Sequence, residues 1–365
     1  MYQNKTVAVV VPAYNEEKQI GMVIESMPDF VDRVIIVNDS STDKTVQMVL
    51  KYIKQDNGNH KNGKIGRVEV NRNKYNEAEI VLQENGKKEL GYYVPSEVIN
   101  NHPETSRIIL INNLVNSGVG ASIARGYKWA KDNNIDCTAV MAGDGQMDPA
   151  ELESICKPVI EEGIDYVKGN RLIHRSAKYV IPKKRFLGNS ILSILTKIAS
   201  GYWRVSDTQT GYTAISLNAL QAIDIYKIYK RYGMPNDLLV KLNVVSCTLR
   251  EVKIKPVYRV GENSKMKINK VVPSISWLLL KCFFKRIWVK YFLRDFHPIF
   301  LLYHFSFILG AFSVPYFLKI LKAFMFGQTM NYEPLLAFIF LFASGFQALF
   351  FAMWMDILDN DRLYK

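Results

Sequence analysis

The sequence predicts an α/β fold: a doubly wound parallel sheet over residues 1–262, followed by a two-helix membrane hairpin. Three observations predict it. Short β-branched runs alternate with helical stretches through the larger, N-terminal part of the chain, which is the pattern of strand–helix units around a parallel sheet. Two C-terminal stretches, 298–318 and 334–355, carry no charged residue, and each is long enough to cross a hydrocarbon core of about 30 Å. Between these two regions the composition turns basic.

Residues 6–11 form a continuous β-branched run, as expected of a strand buried on both faces. A helical stretch at 16–27 follows, then a second buried strand at 33–38. That strand ends in Asp39-Ser40-Ser41-Thr42-Asp43, a polar cluster suited to cap a helix at 44–54. A strand at 108–111, a helix at 117–131 and a strand at 137–141 continue the alternation. The pattern breaks between 55 and 106, where Asn57-Gly58-Asn59, Asn62-Gly63 and Asn85-Gly86 are turn signals. There, 67–70, 79–83 and 90–94 predict an inserted β-ribbon. A helix at 149–161, a strand at 165–169, an amphipathic helix at 183–200 and a mixed segment at 213–255 complete the domain.

From Asn263 to Arg294 there are eight Lys or Arg and no acid. These residues fall into two stripes, 281/285 and 286/290/294, so 263–296 predicts two short basic helices lying in the membrane interface. The hairpin occupies 297–357 and a tail 358–365. The connection 323–334 lacks Lys and Arg while both outer flanks carry them, which by the positive-inside rule predicts both ends of the hairpin in the cytoplasm. Formal net charge is +13. Because so much of it is juxtamembrane, it points to anionic headgroups and away from nucleic acid. Cys137, Cys156, Cys247 and Cys282 are widely spaced with no CxxC pair, so neither a metal knuckle nor a disulfide framework is expected. The apolar run 7–11 is too short for a signal peptide, so the domain is expected to stay cytoplasmic. Self-association into a homo-oligomer is left open.

Four clusters stand at strand ends, where open α/β sheets collect ligands. They are Pro12-Ala13-Tyr14-Asn15-Glu16; Asn38-Asp39; Asn116-Ser117-Gly118-Val119-Gly120-Ala121; and Ala142-Gly143-Asp144-Gly145-Gln146-Met147-Asp148-Pro149. An Asp just past a strand can take hydrogen bonds from a base or ribose, and equally can cap a turn. The small residues of the third cluster let a backbone approach a ligand closely. In the fourth, Asp144 and Gln146 offer hard oxygen ligands two residues apart, a donor set for Mg²⁺ or Mn²⁺ shared with a nucleotide diphosphate. Asp148, ahead of Pro149, reads instead as a helix N-cap.

In this order on one α/β chain, the clusters resemble those of the family-2 inverting glycosyltransferases of GT-A fold. The similarity is strongest to dolichol-phosphate mannose synthase-like polyprenyl-phosphate glycosyltransferases, and it covers about residues 5–265 without the insertion. It implies nucleotide contacts at Pro12, Tyr14, Glu16 and Asp39, with Asn116 and Gly118 beside them. The metal falls at the position of an Asp-x-Asp motif, with Ala142 standing where the first Asp would be, leaving Asp144 and Gln146. The resemblance further implies an acceptor-phosphate site at Arg171, Arg185 and Asn189. It places Asp207, Gln209 and Gly211 near sugar and acceptor, and a loop carrying Arg259 and Lys265 over the donor diphosphate.

The reaction so implied moves a sugar from a nucleotide diphosphate, with uridine favoured over guanosine, to a polyprenyl phosphate at the cytoplasmic membrane face. A phosphate acceptor needs no general base. Two alternatives stand beside this reading. A hydroxyl acceptor on a glycolipid or lipid-linked saccharide would need a base, for which Asp237 in Pro235-Asn236-Asp237-Leu238 is the candidate, although an Asp there also suits an ordinary helix start. The missing acid at Ala142 is the one support for a catalytically silent nucleotide-sugar-binding scaffold.

Overall fold

The computed structural model describes residues 2–55, 72–181, 183–257, 268–327 and 332–365, the side chains of 183–187 and 268–271 excepted. The expected ribbon strand 67–70, the side chain of Arg185, and all of Arg259 and Lys265 lie outside the described residues.

Eight strands form one mixed sheet. In chain order they are β1 (Val7–Ala13), β2 (Arg33–Asn38), β3 (Ser96–Val98), β4 (Ile108–Asn113), β5 (Cys137–Val140), β6 (Tyr166–Asn170), β7 (Thr213–Ser216) and β8 (Leu249–Lys253). They lie side by side as β3-β4-β2-β1-β5-β7-β6-β8. β1 pairs in parallel with β2 and β5, with Val9 opposite Val34 on one side and Ala139 on the other. The expectation of an all-parallel sheet is corrected at two places, since β3 runs antiparallel to β4 and β7 runs antiparallel to both β5 and β6. β3 comes from the insertion, and β7 is inserted between β5 and β6.

The β-branched runs are continuous because both faces of the sheet are covered. Val7, Val9 and Val11 enter one buried cluster and Ala8 and Val10 the other. Fully burying such a Val contributes about 1.5–3 kcal/mol, and an acid at Val9 would break the central strand. The helices over the sheet are α1 (Ile20–Glu25), α2 (Thr45–Gln55), α3 (Glu77–Glu89), α4 (Val119–Asp132), α5 (Leu152–Glu161), α6 (Ala177–Val180), α7 (Lys183–Ser200), α8 (Leu217–Ala222) and α9 (Met234–Val244). α4 lies close on β1: a Cβ on Gly126 would stand 2.4 Å from Val10 Cγ1.

Among the described residues of the insertion the expected β-ribbon is not formed: 79–83 belong to α3, 90–92 make a short 3₁₀ turn, and β3 joins the sheet. The turn signal Asn85-Gly86 falls inside α3. Buried Lys128 of α4 reaches up to the Gly86 carbonyl (2.7 Å) and to Asp132 (2.6 Å), and Glu89 stands close by.

The two short basic helices are likewise replaced by one, α10 (Ile268–Trp288), which runs on into a π-helical turn at Val289–Arg294. α11 (Pro298–Met325) and α12 (Tyr332–Asp361) are long and apolar enough to cross a membrane. Their most apolar windows are only 28% and 17% buried, unlike core helices of a water-soluble domain. A third apolar cluster joins α7, α9, α10 and the hairpin through Leu192, Val240, Ile287, Tyr303 and Ala352, among others. The chain end returns to the sheet: Leu249 donates its N–H to the Leu363 carbonyl (2.7 Å), and Lys365 donates to Leu249 (2.9 Å). Both ends of the hairpin therefore lie on the side of the sheet domain.

Candidate active site

The ends of β1 and β2 are laced to one another. Asn15, at φ +56°, donates its N–H to Ser41 Oγ (2.9 Å) and accepts from Thr42 N (2.8 Å). Glu16 N–H donates to Thr45 Oγ1 (2.9 Å). Asp43 opens α2 by accepting from the Thr45 and Glu17 amides and the Thr45 hydroxyl. Burial works against its charge, but these hydrogen bonds hold its carboxyl below the usual carboxylate range. Tyr14 stays exposed beside this knot, and Pro12 is half-buried.

Asp39, read as a nucleotide ligand, is buried and occupied. Oδ1 accepts from Ser117 N (3.0 Å) and Asn113 Nδ2 (3.1 Å), and Oδ2 from Gly118 N (2.8 Å). Its carboxylate therefore builds the loop that carries exposed Asn116. Gly118 and Gly120 are closely packed by protein backbone. A Cβ at Gly118 would meet the Lys230 carbonyl at 2.8 Å, and one at Gly120 the Tyr229 carbonyl at 2.1 Å. The close approach is that of the 229–230 backbone, and Gly118 also needs its φ of +94°.

The loop after β5 lies against β1, with Gly143 N donating to the Pro12 carbonyl (3.3 Å). Asp144 Oδ1 accepts from Gln146 N (3.0 Å), an Asx turn carried through Gly145 at φ +73°. Asp148 caps the following helix through Ala150 N (3.0 Å), as its sequence context predicts. Among the described residues no three acids, histidines or cysteines gather as a metal nest. A single half-buried carboxylate with an amide oxygen nearby fits a cation that draws its remaining ligands from donor phosphates and water.

β6 and the 206–212 loop close the other side. Arg171 forks onto Asp207, Nε to Oδ2 at 2.8 Å and Nη2 to Oδ1 at 3.0 Å, and its backbone N–H adds a third bond at 3.1 Å. Burial opposes the charge on Asp207, yet Arg171, with Lys168 behind it, holds the carboxyl below the usual carboxylate range. Lys168 is fully buried and donates to the Thr210 carbonyl (2.8 Å). Desolvation drops its ammonium to about 8, partly offset by Asp207 and Glu251. Glu251 of β8 accepts from Ser206 N, Ser206 Oγ and Asp207 N. Gln209 Nε2 lies 2.9 Å from Asn236 Oδ1 on α9. Tyr212 donates to the Asp148 carbonyl (2.9 Å), and a Cβ at Gly211 would touch Met147. The 206–212 loop thus links the β5 loop to β6, β8 and α9.

The structure therefore brings Pro12, Asp144, Gln146, Asp207, Gln209, Gly211 and Arg171 to one end of the sheet. Asn189 is half-buried on α7. Asp237 is set apart from them in role. Both its oxygens meet Lys241 Nζ at 2.5 Å, and Oδ2 also accepts from Tyr229 N (2.8 Å). It anchors the backbone that packs on Gly118 and Gly120, and both its oxygens are engaged by Lys241. Lys168 and Glu251 were missed by the sequence reading. For Lys168 the signal available was a lone charged residue inside an otherwise uncharged strand; Glu251, between Arg250 and Lys253, gave no such signal.

The glycosyl transferase family 2 model matches residues 8–78 and 67–224. A UDP-N-acetylglucosamine–dolichyl-phosphate N-acetylglucosaminyltransferase of Methanococcus voltae is 26% identical over 257 residues, covering 70% of this chain and 87% of that one. A dolichyl-phosphate beta-glucosyltransferase of Trichomonas vaginalis is 23% identical over 295 residues, covering 77% and 74%. Glucosyl-3-phosphoglycerate synthase from Mycobacterium tuberculosis, solved with Mn²⁺, UDP and glucosyl-3-phosphoglycerate, superposes with a TM-score of 0.48 at 18% identity, covering 78% and 80%. With a matched stretch running from β1 to just beyond α8, the chain belongs to glycosyl transferase family 2.

Proposed function

We propose that the protein transfers a sugar from a nucleotide diphosphate, UDP in preference to GDP, to the phosphate of a polyprenyl phosphate, with inversion and at the cytoplasmic membrane face. The observation that carries this is a junction. The 206–212 loop at the sheet end rests on α7 and α9, and those two helices pack against α10 and the hairpin. The carboxyl ends of the strands so adjoin the membrane-side helices. The Methanococcus and Trichomonas relatives are named for transfer to dolichyl phosphate, and the first for a UDP donor.

The acceptor is a phosphate monoester with a second pKa of about 6, mostly dianionic at neutral pH. One of its oxygens attacks the anomeric carbon, the bond from that carbon to the donor diphosphate breaks, and the electron pair leaves on the diphosphate oxygen. No proton has to be removed, in keeping with an Asp237 locked to Lys241 and Tyr229. That same lock speaks against the hydroxyl-acceptor alternative. Arg171, with Arg185 and Asn189, would orient the acceptor phosphate, since guanidinium forks suit phosphate oxygens. Asp144 and Gln146 would hold Mg²⁺ or Mn²⁺, which when bound offsets the charge growing on the leaving diphosphate. Arg259 and Lys265 are assigned to the same diphosphate.

Two variants test these roles with purified protein, polyprenyl phosphate and a panel of nucleotide sugars. Asp144→Asn is expected to abolish nucleoside diphosphate release, and wild-type turnover in it removes the cation assignment. Arg185→Ala is expected to raise the KM for lipid more than that for donor, and an equal rise in both refutes its acceptor role.

A further inference from the structure

The C-terminal end of α7 and the last turns of α12 share one buried guanidinium. Arg286 of α10, fully buried, donates from Nε to the Ala199 carbonyl (2.9 Å) and from Nη2 to that of Ile198 (3.1 Å). The same group forks onto Asp356 of α12, with Nη1–Oδ1 and Nη2–Oδ2 both 2.7 Å. Asp356 is fully buried too and accepts the Tyr291 hydroxyl (2.7 Å) and Asn360 Nδ2 (2.8 Å). Asn360 in turn accepts from Lys290 Nζ (2.5 Å) and Asn243 Nδ2 (2.7 Å). Two residues expected to face lipid headgroups, Arg286 and Lys290, are therefore buried against the end of the hairpin.

A helix leaves its last carbonyls unpaired and partly negative, and Arg286 fills that need for α7. A buried guanidinium requires an opposing charge, and Asp356 supplies it from a helix of membrane-spanning length. On its other contacts α7 meets the site loop. The Ser193 hydroxyl lies 3.1 Å from that of Thr208, and the Thr196 hydroxyl lies 3.1 Å from Asn236 Oδ1, the atom that Gln209 Nε2 also meets. Six residues separate Ser193 from Ala199, about 9 Å of rigid helix.

We infer that the hairpin is part of the acceptor-positioning apparatus: Asp356, through Arg286, fixes α7 against the Asp207–Tyr212 loop and so sets where the acceptor phosphate is presented. Asp356 and Arg286 are positioning residues, and the inference rests on the proposed reading of α7 as the acceptor helix. A hairpin that served only as a tether would need no ion pair to the end of that helix.

The test uses the full chain in phospholipid vesicles with a long-chain polyprenyl phosphate and a UDP-sugar. Arg286→Met combined with Asp356→Leu replaces the pair with apolar side chains, an exchange that buried ion pairs often tolerate. The expected result is a folded protein with donor KM near that of the wild type, lipid KM raised about tenfold, and faster hydrogen exchange at residues 193–200. Asp356→Glu keeps the charge while displacing it, and is expected to show the same split at smaller amplitude should the double variant not fold. Unchanged lipid KM and unchanged exchange in a folded variant overturn the inference, as does an equal rise in both KM values. A wild type that transfers no sugar to polyprenyl phosphate refutes the acceptor reading separately, because the exchange measurement requires no acceptor.

Discussion

The guanidinium of Arg171, at the end of β6, is clamped side-on to the carboxylate of Asp207 by two bonds of 2.8 and 3.0 Å. Asp207 is almost wholly buried while Arg171 remains partly open to the site. An arginine read from sequence as a phosphate ligand thus has part of its fork committed before any acceptor arrives. Asp207 aims it.

Removing one partner of that pair strands the other. Asp207→Asn is expected to destabilise the fold by about 3 kcal/mol, measured by chemical unfolding. Arg171→Lys is expected to recover little, because an ammonium cannot reproduce the fork. The folded carboxyl titrates below its ordinary range, so its contribution is present above the unfolded pKa and fades as pH falls through the folded one. The difference between wild type and Asp207→Asn should therefore shrink only in strong acid. A difference that instead vanishes near neutrality contradicts the pairing.

Lys168 has the opposite dependence. Its folded pKa is lowered to about 8 from 10.5, so between those values the unfolded chain binds more protons and stability rises with pH. Compared with Lys168→Met, the wild type is expected to gain in relative stability as the pH is raised through that window. A flat comparison would mean that the ammonium is not buried as described.

Gly201 follows α7 at φ +77°, and a Cβ there would lie 2.7 Å from Arg286 Nη1. Gly201→Ala combines a left-handed backbone with a clash and is expected to cost about 1–3 kcal/mol. Its thermal midpoint in detergent should fall, and no loss would show that Arg286 can move away freely.

Orientation in the membrane can be read at Gly327, in the turn after α11. The four native cysteines are buried. A Gly327→Cys variant is therefore expected to react with a membrane-impermeant maleimide added outside intact cells. Labelling only after permeabilisation would place the hairpin the other way round.

The central strands, the Asp148 cap and the hairpin were legible because each is set by local sequence: β-branched runs, an Asp-Pro start, and two uncharged stretches. Tertiary pairing was not legible. Asn85-Gly86 looks like a turn until Lys128, from another helix, reaches the Gly86 carbonyl. Arg286 and Lys290 look like headgroup ligands until α12 brings Asp356 and Asn360 to them from 70 residues away. Asp39 and Gly118 belong to two separate sequence clusters, and the structure joins them by a hydrogen bond through which Asp39 builds the loop. Short motifs mark where a site lies; the number of free hydrogen-bonding groups left in it depends on contacts that periodicity does not encode.

The most direct measurement is mass spectrometry of the lipid formed when reconstituted wild-type protein meets polyprenyl phosphate and a set of UDP-sugars. The account predicts a single sugar joined through a phosphodiester, with one nucleoside diphosphate released per product. A product that keeps its phosphate monoester and carries the sugar on a hydroxyl, or nucleotide release without any glycolipid, would contradict it.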